Sequence, residues 1–385
     1  MKIRRIFLAL TILAALMVFS GCQDNHELDS MLLITAVAFD VAEDDMWNVT
    51  IEAVKTSNVE SGIPVKTTLL SGSGRTISEV GKELERKAGA SLYWGHTEAV
   101  VLGKSAANGR LHEVLDWVLR DNEARLVIKL LVSENETAEE ILEVEAEANG
   151  TIGATLAKII ANSEFCDDFT DTTVILITNS LMNGGDAAVV VPAVEVCEDG
   201  GRQMCRISGG VVLRSDTEHM LGVLPVADIT DCMLVIGRYR GGNEVFSDGS
   251  REFSADIISA KSQTRANLVG NRLVFKVEIS ANLSLTYLQS DEKLTQEELL
   301  RLTEVAESAM EQRISATFAR LQNELKADIT DFREAVMRDL GEFWGENTFT
   351  DFFLAAEIHV SVEFTMADTG LTGSAPEVGT GEKYG

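Results

Sequence analysis

Two largely hydrophobic runs separated by a short polar stretch early in the chain predict an antiparallel β-hairpin. Two runs rich in β-branched and aromatic residues, 33–41 and 47–54, flank the acidic stretch 42–46. Runs of this length and composition are typical of strands, and a short polar stretch between them indicates a turn. We therefore expect the first two strands to pair with each other.

A helix is predicted after a glycine- and serine-rich stretch, 71–74, which we interpret as a loop. Thr76 and Glu79 have the spacing of a capping box, and Gly89 is a typical residue for the end of a helix. Between them, apolar residues recur at steps of three and four. The pattern then predicts a strand at 97–102, a helix over 110–120, a strand at 126–132, a helix opening at Thr137 and another helix over 154–161.

The character of the sequence changes near residue 200, where an apolar strand at 187–196 gives way to a glycine-rich stretch. A long helix is predicted from Thr295, since Glu298 completes a capping-box spacing and apolar residues follow at helical steps. About 30 helical residues would span ~45 Å. The other elements predicted here are a hairpin of 209–213 and 219–224, strands at 253–259, 273–285 and 353–364, and a helix over 329–340.

These elements favour an α+β fold with mixed or antiparallel sheets, packed helices and a long helix in the C-terminal domain. The strands and helices do not follow the regular repetition of βαβ units. A length of 385 residues with 45% hydrophobic residues suits several domains, and we expect three. We assign 1–21 to a signal peptide, 22–200 to an N-terminal α+β region with room for two domains, 201–369 to a C-terminal α+β domain and 370–385 to a disordered tail.

The N-terminus indicates export and lipid attachment. Basic residues precede the uncharged run 6–19, which is too short to cross a bilayer as a helix of roughly 20 residues. Cys22 then follows Ser20 and Gly21, the order of a bacterial lipobox, in which the cysteine is lipidated and becomes the new N-terminus. We predict Cys22 as the lipid attachment site. The alternative is an ordinary secretory signal that happens to contain a cysteine.

The charge balance excludes some partners. The formal net charge is −28, and removing the basic signal peptide makes the chain more acidic still. Such a surface repels nucleic acid and anionic lipid headgroups. We therefore expect no nucleic-acid partner, and a membrane attachment that depends on acyl chains rather than on basic contacts.

Four further cysteines raise the question of disulfides. Cys197 and Cys205 flank the glycine-rich stretch near residue 200, and an exported location permits a bridge between them. We favour free thiols, with the Cys197–Cys205 bridge as the alternative; the other two are Cys166 and Cys232. The sequence has no C-x-x-C, and its five histidines are scattered, so neither a metal nor another cofactor is predicted.

The sequence carries no constellation of catalytic residues. It lacks G-x-S-x-G, H-E-x-x-H and the phosphate-binding G-x-x-x-x-G-K-[ST]. Residues 290–293 match S-x-x-K, but no S-D-N or K-T-G accompanies them, and we interpret the match as chance. His96 is better interpreted as part of the polar start of a strand. We therefore predict no catalytic residue and no enzyme activity.

Several blocks occur in an order that points to a known family. Gly21 and Cys22 are followed by the strand blocks 33–40 and 49–53, and then by the most specific block, SLYWGHTEAVVLG at 91–103. Further blocks are 114–125, 130–134, 138–143, 209–213 with 222–224, the long helix, and 327–332. Over nearly the whole chain, these blocks resemble the C-subunit lipoproteins of bacterial spore germinant receptors, often written Ger(x)C.

The resemblance implies a non-enzymatic, three-domain α+β lipoprotein on the outer face of the spore inner membrane. It also implies partners: two polytopic membrane subunits, A and B, of a receptor that senses small nutrients and triggers germination. The alternative is a solute-binding lipoprotein of a transporter. That class usually has repeated βαβ units, and an aromatic content of 6% is low for building a ligand cleft.

The turn after the helix at 110–120 lies inside one of these blocks and has two interpretations. In the first, Arg120, Asp121 and Arg125 form a local charge network that fixes the turn. In the second, the turn also presents a surface to a membrane subunit. We favour the structural interpretation.

Overall fold

The computed structural model describes residues 31–55, 66–121, 123–146, 150–162, 173–182, 188–214, 219–239, 241–288, 294–341 and 348–368. The predictions for Cys22, Cys166, the signal peptide and the tail at 370–385 therefore lie outside the described residues. Within these ranges the secondary structure is mixed, and the predicted α+β class is confirmed.

The described strands form two sheets. The first contains β1 (Met31–Val41), β2 (Trp47–Lys55), β3 (Thr67–Gly74), β4 (Ser91–Tyr93), β5 (Ala99–Leu102), β6 (Lys129–Ser133), β7 (Ala188–Asp199), β8 (Arg202–Arg214) and β9 (Met220–Pro225). Its order is β3-β2-β1-β5-β6-β7-β8-β9, with β4 beside β1. β1, β4, β5, β6 and β7 run parallel, whereas the other pairs are antiparallel. The second contains β10 (Gly242–Ser247), β11 (Glu252–Val269), β12 (Arg272–Leu288) and β13 (Glu357–Asp368), in that order.

Helices cover both sheets. In chain order they are α1 (Ile77–Ala88), α2 (Lys104–Ala107), α3 (Leu111–Arg120), α4 (Glu139–Glu143), α5 (Ile152–Ala161), α6 (Val174–Met182), α7 (Val226–Ile236), α8 (Gln296–Arg320), α9 (Phe332–Asp339) and α10 (Phe349–Leu354). On the first sheet, α1, α2, α3 and α6 share one core, while α4 and α5 share a second core with the small side chains of β1 and β5. α7 joins the two sheets, because its apolar residues share the third core with α8 and the second sheet.

Local patterns explain the elements that the sequence predicted. The first hairpin is confirmed, with Val41 opposite Trp47 across the acidic turn. The Thr76 hydroxyl accepts the N–H of Glu79 at the start of α1, and Gly89 ends that helix in the left-handed conformation. The long helix is confirmed too, and a π-helical turn at Leu321–Leu325 extends it beyond α8.

Two predicted elements are wrong. The stretch 71–74 is the second half of β3 rather than a loop. A Cβ atom on Gly72 would lie 3.2 Å from side-chain atoms of Val80 and Leu84, so glycine here lets α1 pack closely on an edge strand. Phe353 belongs to α10, and the closing strand begins only at Glu357, although its predicted alternation through 358–364 is confirmed.

The region near residue 200 is the turn of a hairpin. Asp199 lies opposite Arg202, and the first sheet continues through β8 and β9 to Pro225. The predicted hairpin of 209–213 and 219–224 is confirmed as β8 and β9. Beyond it, the strands predicted at 253–259 and 273–285 are parts of one long hairpin, β11 and β12.

Candidate functional site

The most specific sequence block, 91–103, folds as β4, a 3-10 turn at Trp94–His96 and β5. Its glycines mark close approaches of the backbone to other groups. A Cβ atom on Gly103 would lie 2.0 Å from Oδ1 of Asp40, and one on Gly95 would lie 2.6 Å from the Tyr93 hydroxyl. The block is therefore fixed by packing, and it places Trp94 and His96 at the end of β4.

Four aromatic rings join this block to the first hairpin and to α3. The ring centroids of Trp94 and Trp117 lie 4.8 Å apart at 86°, and Trp117 lies 5.5 Å from Phe39. Phe39 in turn lies 6.0 Å from Trp47. We call these four residues the tryptophan cluster. Edge-to-face contacts of this kind add to the energy of simple burial.

Arg110 caps the tryptophan cluster. Its guanidinium lies 4.3 Å from the centroid of the Trp47 ring, a cation–π contact. The same guanidinium donates to Glu113 at 2.7 and 2.9 Å, and Trp47 Nε1 donates to the Glu113 carboxylate at 3.0 Å. The hydrogen bond from Arg110 is the main reason why the pKa of Glu113 lies below its ordinary value. This acid is therefore a structural partner and is poorly suited to act as a base.

Two buried acids of the first hairpin hold the N-termini of helices on the opposite face. Asp40 accepts the N–H groups of Ala138 and Glu139 at 2.8 and 3.2 Å, just ahead of α4. Burial raises the pKa of Asp40, and these two backbone bonds oppose that rise. Glu52 accepts the N–H of Ile152 at 2.9 Å at the start of α5. Carboxylates suit helix N-termini because the macrodipole is positive there.

Neither acid was predicted from the sequence to hold the N-terminus of a helix. Their signal was present, since Asp40 and Glu52 interrupt otherwise apolar strands. An acid buried in such a strand needs hydrogen-bond partners, and here they come from residues about 100 positions away. The partners could not be read from the local pattern.

The described residues of the turn after α3 do not form the charge network that we predicted among Arg120, Asp121 and Arg125. Arg120 pairs with Asp116 at 2.7 Å, and the two side chains are 78% and 56% exposed. Asp121 instead accepts the N–H groups of Glu123 and Ala124 at 2.8 and 3.1 Å. The turn is therefore held by one side-chain cap on the backbone, which is a common role for aspartate.

The described cysteines are free thiols. Cys197 lies opposite Met204 and Cys205 lies opposite Val196, so the two cysteine side chains point to opposite faces of the sheet. Burial raises the pKa of Cys205 to about 12. Cys232 is also a buried free thiol, in α7. The preferred prediction is confirmed for these three residues.

Among the residues that the structure describes, we find no further set of groups arranged as a reaction centre. In the described parts of the chain, no three His, Cys, Asp or Glu side chains are placed to hold a metal ion. Across the same parts, every helix is too short or too polar to cross a membrane. The lipid attachment predicted at Cys22 stays a prediction.

Two family models match the chain. The model described as "Spore germination protein N-terminal domain" matches residues 24–196. The model described as "Spore germination B3/ GerAC like, C-terminal" matches residues 208–370. The first match ends within β7 and the second begins within β8, so the two models meet at the hairpin around residue 200.

Three curated proteins of Bacillus subtilis (strain 168) are similar to the chain. "Spore germination protein YndF" is 21% identical over 96% of this chain and 98% of its own length. "Spore germination protein B3" is 20% identical over 93% and 96%. "Spore germination protein KC" is 28% identical over 37% of each chain. Among solved structures, "Crystal Structure of the GerBC protein" has a TM-score of 0.56 and 17% identity, covering 86% of this chain and 97% of that one, which shows a shared fold.

Proposed function

Because the chain belongs to the GerAC-like family of spore germination proteins, we propose that it is the membrane-anchored, non-enzymatic C subunit of a nutrient germinant receptor. The observation that supports this most is the match of the two family models, in order, to residues 24–196 and 208–370. Its partners in this proposal are the polytopic A and B subunits, and its place is the outer face of the spore inner membrane.

The chemistry of the described residues agrees with a role in assembly. The three acids described above are occupied: the buried Asp40 and Glu52 hold helix N-termini, and the partly exposed Glu113 holds Arg110. A general base needs an unoccupied lone pair near a substrate. The aromatic and charged groups described above act instead as parts of a rigid body that can present a surface to partners.

The anchor in this proposal is a lipidated Cys22. It follows small residues after a short apolar run, and it precedes the first strand by nine residues. More than one acyl chain on one cysteine gives stable attachment, whereas a single chain binds a membrane only marginally.

Replacing the anchor tests the proposal. We expect Cys22→Ala, expressed in a spore-forming bacterium, to lose incorporation of an alkyne-tagged fatty acid. It should then leave the membrane fraction or accumulate with an uncleaved signal peptide. Cys197→Ala is the matched control, because it removes a thiol from the folded body and should leave labelling unchanged. An alanine variant that is processed and still fractionates with membranes as wild type does would show that the anchor is not at Cys22.

Co-purification tests the partners. A C-terminally tagged chain, solubilised from spore membranes with mild detergent, should retain two polytopic subunits, and the purified assembly should be identified by mass spectrometry. Recovery of a transporter permease in their place would support the solute-binding alternative and contradict the receptor proposal.

A further inference from the structure

One end of the first sheet must lie close to the proposed anchor. β1, β4, β5 and β6 run parallel, so their first residues share that end. Met31, the first residue of β1, lies nine residues after Cys22, and nine extended residues reach at most about 30 Å. The inference drawn below therefore rests on the proposed anchor at Cys22.

Exposed basic side chains lie at this end of the sheet. Lys55 ends β2 and lies opposite Leu32, and Lys66 comes just before β3, whose first residue lies opposite Val54. Arg86 and Lys87 form the basic last turn of α1, which ends shortly before β4. Glu85 is the acid of that same turn. Lys87 Nζ pairs with Glu83 at 2.7 Å and donates to the Ser71 carbonyl in the middle of β3, so its charge is held away from this end. Lys55, Lys66 and Arg86 are exposed at the ends of their elements.

Exposed apolar side chains lie at the same end. Leu126 and Val127 precede β6 and are 40% and 65% exposed. Their position is fixed by the backbone, because the N–H of Ile175 donates to the carbonyl of Leu126 at 3.1 Å. Leu176, which follows on α6, is also exposed. Large apolar side chains that stay exposed beside basic ones are typical of surfaces that meet a membrane interface.

The turns at the opposite end of the sheet are acidic. There the turn between β1 and β2 exposes Glu43, Asp44 and Asp45. The turn between β7 and β8 exposes Glu198 and Asp199. The end near Met31 carries both signs, because Glu98 and Glu123 are exposed there together with the basic residues. The chain as a whole carries a formal net charge of −28.

We propose that this end is a second membrane contact. We call it the basal surface and define it by Lys55, Lys66, Arg86, Leu126 and Val127. The acyl anchor supplies the attachment, and beside it the basal surface makes a local contact with anionic headgroups that the net charge of −28 did not lead us to expect. Leu126 and Val127 then lie at the boundary between headgroups and acyl chains. The acidic end then points away from the bilayer. Basic residues near an anionic leaflet are attracted to it, whereas acidic residues are repelled.

Amide hydrogen exchange of the acylated full chain in proteoliposomes tests this orientation. In vesicles with 30 mol% phosphatidylglycerol, peptides that contain Lys55, Lys66, Arg86 or Val127 should exchange more slowly than in neutral phosphatidylcholine vesicles. Peptides from the acidic turn at 43–45 should exchange equally in both. Equal exchange of the basal peptides in anionic and neutral vesicles would overturn the proposal.

A charge-reversed variant with a matched control sharpens the test. Lys55→Glu with Lys66→Glu and Arg86→Glu should abolish the lipid-dependent protection. Each basic residue near an anionic surface contributes about fivefold in affinity, so the loss of three lowers the contact equilibrium about 100-fold or more. The control variant carries glutamate in place of three exposed basic residues of the second sheet, Lys261, Arg272 and Lys276. It should keep the lipid-dependent protection of the basal peptides. Protection that survives the basal reversal would also overturn the proposal.

The same preparation separates this proposal from the anchor itself. Flotation on a density gradient reports whether the chain is attached at all. If the wild type does not float, the anchor proposal has failed. If it floats in both kinds of vesicle but shows no lipid-dependent protection, the anchor stands and the basal contact is refuted.

Discussion

Replacing Arg313 should reveal how strongly one buried ion-pair network holds α7, α8 and β10 together. Arg313 on α8 donates to Asp231 of α7 at 2.7 Å and to Glu244 of β10 at 2.7 Å. Thr317 donates to the second oxygen of Asp231 at 2.9 Å. The Asp231 carboxylate is fully shielded from solvent. Arg313→Met keeps much of the apolar stem and removes the charge that three elements share.

The expected loss of stability in Arg313→Met follows from the burial of Asp231. Removing one partner of a buried pair costs about 3–5 kcal/mol, because the other charge is left uncompensated. Burial already raises the pKa of Asp231 to about 6 with Arg313 present. Without the guanidinium, the pKa of Asp231 rises further, and the folded variant takes up a proton.

The sign of the pH dependence can be worked out from the same pKa. An acid whose pKa is raised on folding contributes stability at low pH that is lost as the pH rises through its folded pKa. In the wild type, the stability that protonated Asp231 contributes has been lost a little above pH 6. In the variant, the pKa of Asp231 is higher, so the loss of this stability continues to higher pH. The destabilisation by Arg313→Met should therefore be largest near pH 7.5, at about 3–5 kcal/mol, and should fall to about half of that near pH 5.

Urea unfolding of the mature chain at pH 5 and pH 7.5 measures both quantities. Tertiary circular dichroism follows the transition, and the two domains are fitted as separate steps if they unfold separately. Arg120→Met is the matched control, because Arg120 pairs with Asp116 at the surface and such exposed pairs contribute less than about 1 kcal/mol. Equal effects of the two variants, or an effect of Arg313→Met that does not change with pH, would refute the reasoning.

Two further predictions concern packing and thiols. Gly103→Ala should lower the free energy of unfolding by about 3 kcal/mol, because the new Cβ would collide with Asp40. Gly81→Ala in α1 is the control: its Cβ meets nothing within 4 Å, so it should raise the free energy of unfolding by about 0.5–1 kcal/mol. Thermal melting of both variants measures the two effects. Mass spectrometry of the alkylated, unreduced protein should show Cys197 labelled faster than Cys205, whose thiol is buried with a raised pKa. A Cys197–Cys205 crosslink in that spectrum would contradict the sheet geometry.

Much of the fold was predictable because its signals are local. The first hairpin needs only two apolar runs and an acidic turn, and α1 and α8 begin with a threonine whose hydroxyl accepts the N–H three residues later. These patterns involve residues within a few positions of one another. The capping boxes are only half formed, however, because Glu79 bonds to Arg75 and Glu298 bonds to Arg251.

The failures arose where packing between distant elements decided the outcome. Gly72 and Gly74 have the composition of a loop, yet they form a strand because α1 lies against them. The tryptophan cluster was not foreseen either, since Phe39, Trp94 and Trp117 come together only after β1, β4 and α3 have assembled. A single sequence does not show which aromatic residues will meet.

The acidic composition illustrates why a net charge does not predict a surface. Several acids accept backbone N–H groups of the edge strands β3 and β13. Glu83 accepts the N–H of Ser73 on β3, and Glu307 and Glu311 accept N–H groups of β13 at 2.8 and 2.9 Å. Unpaired edge N–H groups are sites where a second chain can add as a strand. Carboxylates that satisfy these groups therefore hinder edge-to-edge association between copies of the chain. Part of the negative charge thus protects the fold, and the charge at any one surface depends on where the basic residues lie.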